Sequence, residues 1–344
     1  MPVRVLSFTA AAAFLLCGAA QATPLNTSQI LTQFNTVVLG NATSSSHTDG
    51  RTYVGGTLSG GDYVQHPEQT AASNYAGLTV RGAASNVHVN GLGAVVGGKL
   101  SGSIVNSGSA VVKGGAQGDT FNGAAYVEGT ASGNFNGGKA STLSTLMQTN
   151  LDAAGSTDFG TILNTLSDQL KMLTSTGSSV TFDGNRAIFN AVVNANGLAV
   201  FDLSAIDTVL FGKSEFQFNL NGARTVVLNT DIKNVSIGAN FLGGAAQNYG
   251  KQLLWNFYDA TDITLNSQWG GSLLATDAYL TNNQNIEGGV FVNSLRQQGE
   301  IHSQAFSGTL PSASSAVPEP GSTALVLAGL GLIGFMRRRR DSTG

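Results

Sequence analysis

Tyr53-Val54-Gly55-Gly56-Thr57-Leu58-Ser59-Gly60 is echoed further along the chain by Val95-Val96-Gly97-Gly98-Lys99-Leu100-Ser101-Gly102. Fainter copies follow at Val111-Val112-Lys113-Gly114-Gly115 and at Tyr126-Val127-Glu128-Gly129-Thr130-Ala131-Ser132-Gly133. Val96, Val112 and Val127 fall about 16 residues apart. Short β-rich runs at a near-fixed interval, each closed by glycines, are the pattern of a stacked β-coil. One such coil cannot bury its apolar side alone and needs neighbours. Glycine supplies the sharp corners, because it tolerates positive φ. The expected fold is therefore mainly β, a right-handed parallel β-solenoid (β-helix). A β-sandwich is the alternative, since periodicity alone does not separate the two.

Upstream of this unit, residues 29–39 begin as a short helix (Ile30, Leu31, Phe34) and pass into a strand at Val37-Val38-Leu39. Residues 40–50 read as a polar loop. Downstream, residues 141–175 break the rhythm with two helical stripes. One is Leu143, Leu146, Met147 and Leu151; the other is Ile162, Leu163, Leu166, Leu170 and Leu173. Residues 155–160 separate them, and the two helices are expected to pack on the β body as a short helical insertion. The β rhythm returns from Val180, with strands expected at 187–193, 199–203, 225–228, 253–257, 263–265, 272–275 and 289–292. Asn190, Asn194, Asn219, Asn229, Asn256 and Asn266 lie in or beside these strands, where asparagine caps turns or joins stacked amide ladders.

Charged residues make up 11% of the chain, against about 25% in an average soluble domain. The formal net charge is −3, which gives no basis for a nucleic-acid partner. Glycine is abundant at 45 residues and proline scarce at 6. The recurring Val, Ile, Thr and Phe argue for ordered β structure rather than disorder.

Both ends carry processing signals. Arg4, the apolar stretch 5–16 and Ala20-Gln21-Ala22 form the charged start, greasy core and small-x-small site of a secretory signal peptide spanning 1–22, so that the mature chain begins at Thr23. The single cysteine, Cys17, lies inside that signal, with Leu16 rather than a small residue before it. Lipidation and disulfides are therefore not expected. At the other end stand Val317, Pro318, Glu319 and Pro320, then an apolar segment 322–336, then Arg337, Arg338, Arg339 and Arg340. The apolar run is roughly 15 residues, against about 20 for a permanent span. The arginines read as a cytoplasmic stop, and the prolines keep the motif extended. This tail, 317–344, resembles the PEP-CTERM sorting signal of Gram-negative bacteria. The resemblance implies transient insertion in the inner membrane, cleavage by an exosortase, and delivery to the cell surface or extracellular matrix. Signal peptidase and exosortase are then the processing partners.

The body between, 23–316, resembles the choice-of-anchor A domain. Its opening is Phe34-Asn35-Thr36-Val37-Val38-Leu39-Gly40-Asn41 with Asp49-Gly50-Arg51-Thr52-Tyr53-Val54-Gly55-Gly56. Its late core is Leu253 through Thr261 with Leu265 through Ala275, and its close is Asn285 through Val290 with Gly299 through Gly308. The resemblance implies an extracellular, surface-associated, adhesive or structural protein. It supplies no ligand and no catalytic residue.

Searches for chemistry return little. Residues 329–334 fit a dinucleotide fingerprint but lie in the apolar tail, with no strand before them. Residues 93–99 and 133–139 have phosphate-loop spacing but are followed by Leu100 and Ala140, where Mg²⁺ binding needs Ser or Thr. His47 with Asp49, and His66 with Asp62 and Glu68, are candidate metal ligands. None has the helical spacing of a zinc site, and neither metal nor cofactor is expected. No acid–base pair can be nominated, so no enzymatic activity is expected; a secreted polysaccharide-acting enzyme on a β-helix is the alternative. Trp255, Phe257, Tyr258 and Trp269 could form a sugar-stacking platform, but core filling is the favoured reading. An ice-binding threonine array is not expected, because threonine does not recur at a fixed interval. The function these readings support is an exported surface or matrix protein, adhesive or structural in exopolysaccharide.

Overall fold

The computed structural model describes residues 22–311 apart from Ala245. Ala20, the sorting motif Val317–Pro320, the apolar segment 322–336 and Arg337–Arg340 lie outside the described residues. The chain divides at Thr309 into two units, of which the second is described only at Leu310 and Pro311. The first unit is a parallel β-solenoid, as expected, and its pairing excludes the sandwich.

Each coil contributes three short strands to three ladders. In the repeat region the first ladder runs through Thr52–Val54, Leu78–Val80, Ala94–Val96, Ala110–Val112 and Ala125–Val127, all parallel and in register. Val80, Val96 and Val112 therefore stack directly on one another. Leu58, Ala84, Leu100 and Ala116 form the matching interior file of the second ladder. Tyr63, Val89, Val105 and Phe121 form that of the third. All eleven belong to one core. Alternation along each strand sends one side chain in and the next out, which is why short runs of two or three β-branched residues suffice. At the corner after the first strand the coils nearly touch. A Cβ on Gly97 would stand 2.2 Å from the Arg81 carbonyl oxygen, so this glycine is required by space.

The coils do not stack in chain order. Thr36–Val38 pairs on one side with Thr52–Val54 and on the other with the start of Val290–Gln297. The first coil is thus laid against the last, in the middle of the stack. The chain runs outward from there to residue 139 and crosses back through helices. It then restarts at the far end and returns through Leu198–Asp202, Thr225–Thr230, Leu253–Phe257 and Ser272–Asn282. The first coils of this second half are wider: Ala199, Val226 and Leu253 are register partners 27 residues apart. A wider coil needs larger side chains to reach native packing density. Phe189, Phe201, Phe216, Phe218, Trp255, Phe257 and Trp269 supply them. The Trp255 indole N–H donates to the Gly270 carbonyl at 3.0 Å, so Trp255 and Trp269 are core residues and not a sugar platform.

The helices are α1 Thr27–Gln33, α2 Thr145–Ser156, α3 Phe159–Lys171, α4 Asp207–Phe211 and α5 Ala246–Tyr249. The break between α2 and α3 is shorter than expected, because Asp158 caps α3 by accepting from the Thr161 N–H at 3.0 Å. Both helices lie over the outside of the first ladder. Met147 and Ala154 of α2 cover Val95 and Val111. In the other half, the Asn256 amide donates to the Ser167 carbonyl of α3 and to Asn229 Oδ1, both at 2.9 Å. The Asn229 amide in turn donates to the Leu170 carbonyl at 2.7 Å. Residues 40–50, expected as a loop, hold the strands Ala42–Ser44 and His47–Thr48, and there are other departures from the expected elements. Ser179–Asp183 and Arg186–Asn190 form an antiparallel hairpin at one end of the stack. α4 was not expected, and Ser272–Asn282 and Val290–Gln297 run on past a corner, each serving two ladders. Among the described residues no helix is long and apolar enough to cross a membrane.

Candidate functional site

With the first ladder under helices, the second stands open. Its outward positions align in register across ten strands: Ser236, Thr264, Thr281, Arg296, Thr43, Ser59, Ser85, Ser101, Gln117 and Ser132. Each is exposed or half-exposed, and eight carry a hydroxyl. Neighbouring strands in a ladder are about 4.8 Å apart, so the file is a nearly continuous row of donors and acceptors. Ser85 and Ser59 hydroxyls already lie within 3.4 Å of each other. A parallel file beside it contains Asn41 and Thr57, joined by a 3.0 Å hydrogen bond. It also contains Lys99, which hydrogen-bonds Gln117. Near the outer end, Lys99, Gln117, Thr130 and Ser132 line a shallow cavity of about 360 Å³. A second amide row, Asn90, Asn106, Asn122 and Asn136, runs along another edge with bonds of 2.8, 3.3 and 2.8 Å. The hydroxyl file was hidden in the sequence because Ser and Thr share it and the coil lengths vary. Threonine alone has no fixed period in the chain.

The third ladder gathers all four histidines of the chain on or beside its outer surface. Thr48 pairs with Ile301, so His47 of the first coil comes beside Glu300 and His302 of the last. His302 Nδ1 is 2.7 Å from Glu287 Oε1, and its Nε2 is 2.8 Å from Glu300 Oε2. Glu287, only 2% exposed, also accepts from the Gln268 amide at 2.8 Å. The Glu287 hydrogen bond, opposed by burial and aided by Glu300, raises the His302 pKa to about 9. The His302 hydrogen bond holds the Glu300 carboxyl below its usual range. His47 presents Nδ1 to Glu300 Oε1 at 3.6 Å and Nε2 to Asp49 Oδ1 at 3.5 Å. His88 with Asp62 (2.9 Å) forms a separate exposed pair, whereas His66, paired with Glu68 at 3.1 Å, also turns Nε2 toward Asp49 Oδ1 at 3.9 Å. The structure therefore keeps the expected His47–Asp49 neighbourhood and adds His302, Glu300 and Glu287, which are some 240 to 255 residues distant in sequence. Asp62 faces His88, not His66.

Of the processing residues, Ala22 and Thr23 are described, both outside any helix or strand, with Thr23 exposed. The rest of both signals lies outside the described residues.

The protein is thus a stack of coils with one wall covered by helices and another left as an open polar sheet. The chain belongs to the family described as "Putative Ice-binding-like adhesive domain", whose model matches residues 27–303. A PEP-CTERM protein-sorting motif matches residues 316–340. The blocks that resemble the choice-of-anchor A domain fall largely inside the first match, which carries the adhesive description instead. Together the two matches make this an exported surface protein whose tail is of the kind exosortases process. Neither description is enzymatic. No curated protein matches the chain. Among solved structures, an ice-binding protein from an Antarctic bacterium, Flavobacteriaceae, is similar at 11% identity and a TM-score of 0.25. That match covers 85% of this chain and 100% of the other.

Proposed function

We propose that this is a non-enzymatic, adhesive protein of the cell surface or extracellular matrix, and that its open second face binds hydrated polysaccharide. The observation that carries this reading is the uncovered file of ten side chains in register, eight of them hydroxyls. Each hydroxyl is a weak donor and acceptor, worth about 1 kcal/mol net in a good hydrogen bond. A polymer lying along the file sums many of them. Arg296 and Gln117 are longer than the serines of the file, which suits a pliant hydrated chain better than a flat lattice such as ice.

In this reading signal peptidase cuts after Ala22, and the 23–316 body crosses to the outside. Segment 322–336 holds it briefly in the inner membrane, with Arg337–Arg340 on the cytoplasmic side. Exosortase then cuts near Val317–Pro320. Support for the exosortase step comes from the sorting-motif match.

The test is co-sedimentation of the purified chain with the host's exopolysaccharide. Ser59→Lys combined with Ser101→Lys should reduce binding several-fold, while Asn106→Lys on the amide row should not. Equal binding by all three would remove the second face as the site. Adsorption to ice with no polysaccharide binding would move the ligand to a lattice.

A further inference from the structure

We propose that His47, Glu300 and His302 form a binding site for one divalent first-row transition ion, zinc foremost, which ties the first coil of the solenoid to the last. The ligand atoms of these three residues lie within 4.8 Å of one another. Tetrahedral zinc with bonds near 2.0–2.1 Å sets its ligands about 3.3 Å apart. His302 Nε2 lies 2.8 Å from Glu300 Oε2 and His47 Nδ1 lies 3.6 Å from the other carboxylate oxygen, Oε1, so the two imidazoles flank one carboxylate at distances on either side of that value. Imidazole nitrogen with one carboxylate suits zinc, copper or nickel, and not calcium or magnesium, which want oxygen alone. Glu300 is partly exposed, which leaves the fourth position to water.

The groups behind the ligands point the same way. A metal-bound histidine commonly gives its other ring N–H to a carboxylate, which fixes tautomer and orientation. Glu287 does this for His302 at Nδ1, so Nε2, on the Glu300 side, is the atom that would bind the ion. Asp49 stands in the same relation to His47, opposite its Nε2. Asp49 is 6% exposed, and its Oδ2 accepts from the Ser303 N–H at 3.0 Å, but its Oδ1 has no hydrogen-bond partner among the described residues. An unpartnered buried carboxylate oxygen is costly. A metal on His47 Nδ1 forces the proton onto Nε2, aimed at that oxygen, and supplies the missing donor. Binding also displaces the proton between His302 and Glu300 into solvent, as metal binding to protonated ligands must.

The consequence is structural. The mature chain is expected to lack cysteine, and the junction between Thr48 and Ile301 is where its two halves meet. An ion held by His47 on one side and by Glu300 and His302 on the other cross-links that junction. This is independent of what the second face binds.

The test titrates zinc chloride into the full chain after chelator stripping, followed by calorimetry. One saturable site is expected, with Kd about 1 µM or tighter. His47→Gln and Glu300→Gln, both at partly exposed positions, should each weaken it on the order of 100-fold, and Glu287→Gln about 10–100-fold. His88→Gln should leave it unchanged, and calcium should give no saturable heat. Zinc should also raise the wild-type Tm progressively with its concentration, a readout that needs no variant to fold. Absence of saturation at millimolar zinc, an unmoved Tm, or wild-type affinity in His47→Gln and Glu300→Gln would each overturn the site.

Discussion

Replacing Asn256 with alanine should loosen α3 from the solenoid and cost the fold about 3–5 kcal/mol. Asn256 is fully buried, on the helix side of Leu253–Phe257. Its amide donates to the Ser167 carbonyl and to Asn229 Oδ1, and its oxygen accepts from the Ser167 hydroxyl at 2.7 Å. Truncation strands Asn229 Oδ1 without a donor, a loss of about 1–3 kcal/mol. It also removes two further bonds at about 1 kcal/mol each, and opens a small cavity that adds to these. The Ser167 hydroxyl can turn back to its own helix, so Ser167→Ala alone should cost about 1–2 kcal/mol. The double variant should then cost less than the sum, with a coupling of about 1 kcal/mol or more. Urea unfolding followed by fluorescence measures this directly, since Trp255 and Trp269 both lie buried in the same half. A loss below about 1 kcal/mol for Asn256→Ala, or strict additivity with Ser167→Ala, would mean that α3 is held by apolar packing and the amide ladder is incidental.

Asp158→Ala should destabilise by about 0.5–2 kcal/mol through loss of the α3 cap. Hydrogen bonds from Thr161 hold the Asp158 carboxyl below its usual range, so its contribution is present above the unfolded-state pKa near 4 and fades as pH falls through the folded-state value. The gap between wild type and variant in thermal melts should therefore close in acid. Thr43→Cys with Arg296→Cys should form a disulfide on mild oxidation, because the two are register partners on adjacent strands at about the spacing a disulfide needs. Faster migration on a non-reducing gel shows it, and failure to cross-link would deny that the first and last coils touch. Gly97→Ala should destabilise by about 1–3 kcal/mol, since its Cβ has no room beside the Arg81 carbonyl; an unchanged melting temperature would show that the corners are looser than described.

The repeat half was legible because its coils are short and equal. Val96, Val112 and Val127 announce themselves at intervals that a single period can fit. The amide ladders were legible too, through Asn190 with Asn219 and Asn229 with Asn256. What failed was anything set by coil length. The insertion between Tyr63 and Leu78 contains Pro67–Gln69 as a helical turn and breaks the interval. The 27-residue coils of the second half have no period short enough to see. The laying of the first coil on the last is invisible locally, since nothing in residues 36–48 names residues 290–302 as its neighbour. That same closure assembles His47, Glu300 and His302, so the cluster could not be read before the topology was known. The hydroxyl file failed for another reason: serine, threonine and glutamine are interchangeable at an exposed position, and identity counts miss a shared chemistry.

The most direct test of the account is made in the native host, by measuring how the protein divides between cell-associated matrix and medium. Wild type is predicted to remain in the matrix fraction, lacking the peptide after about Pro320. The Ser59→Lys, Ser101→Lys variant is predicted to be exported and trimmed in the same way but to wash into the medium. Retention of that variant at the wild-type level would contradict the claim that the hydroxyl face holds this protein at the surface.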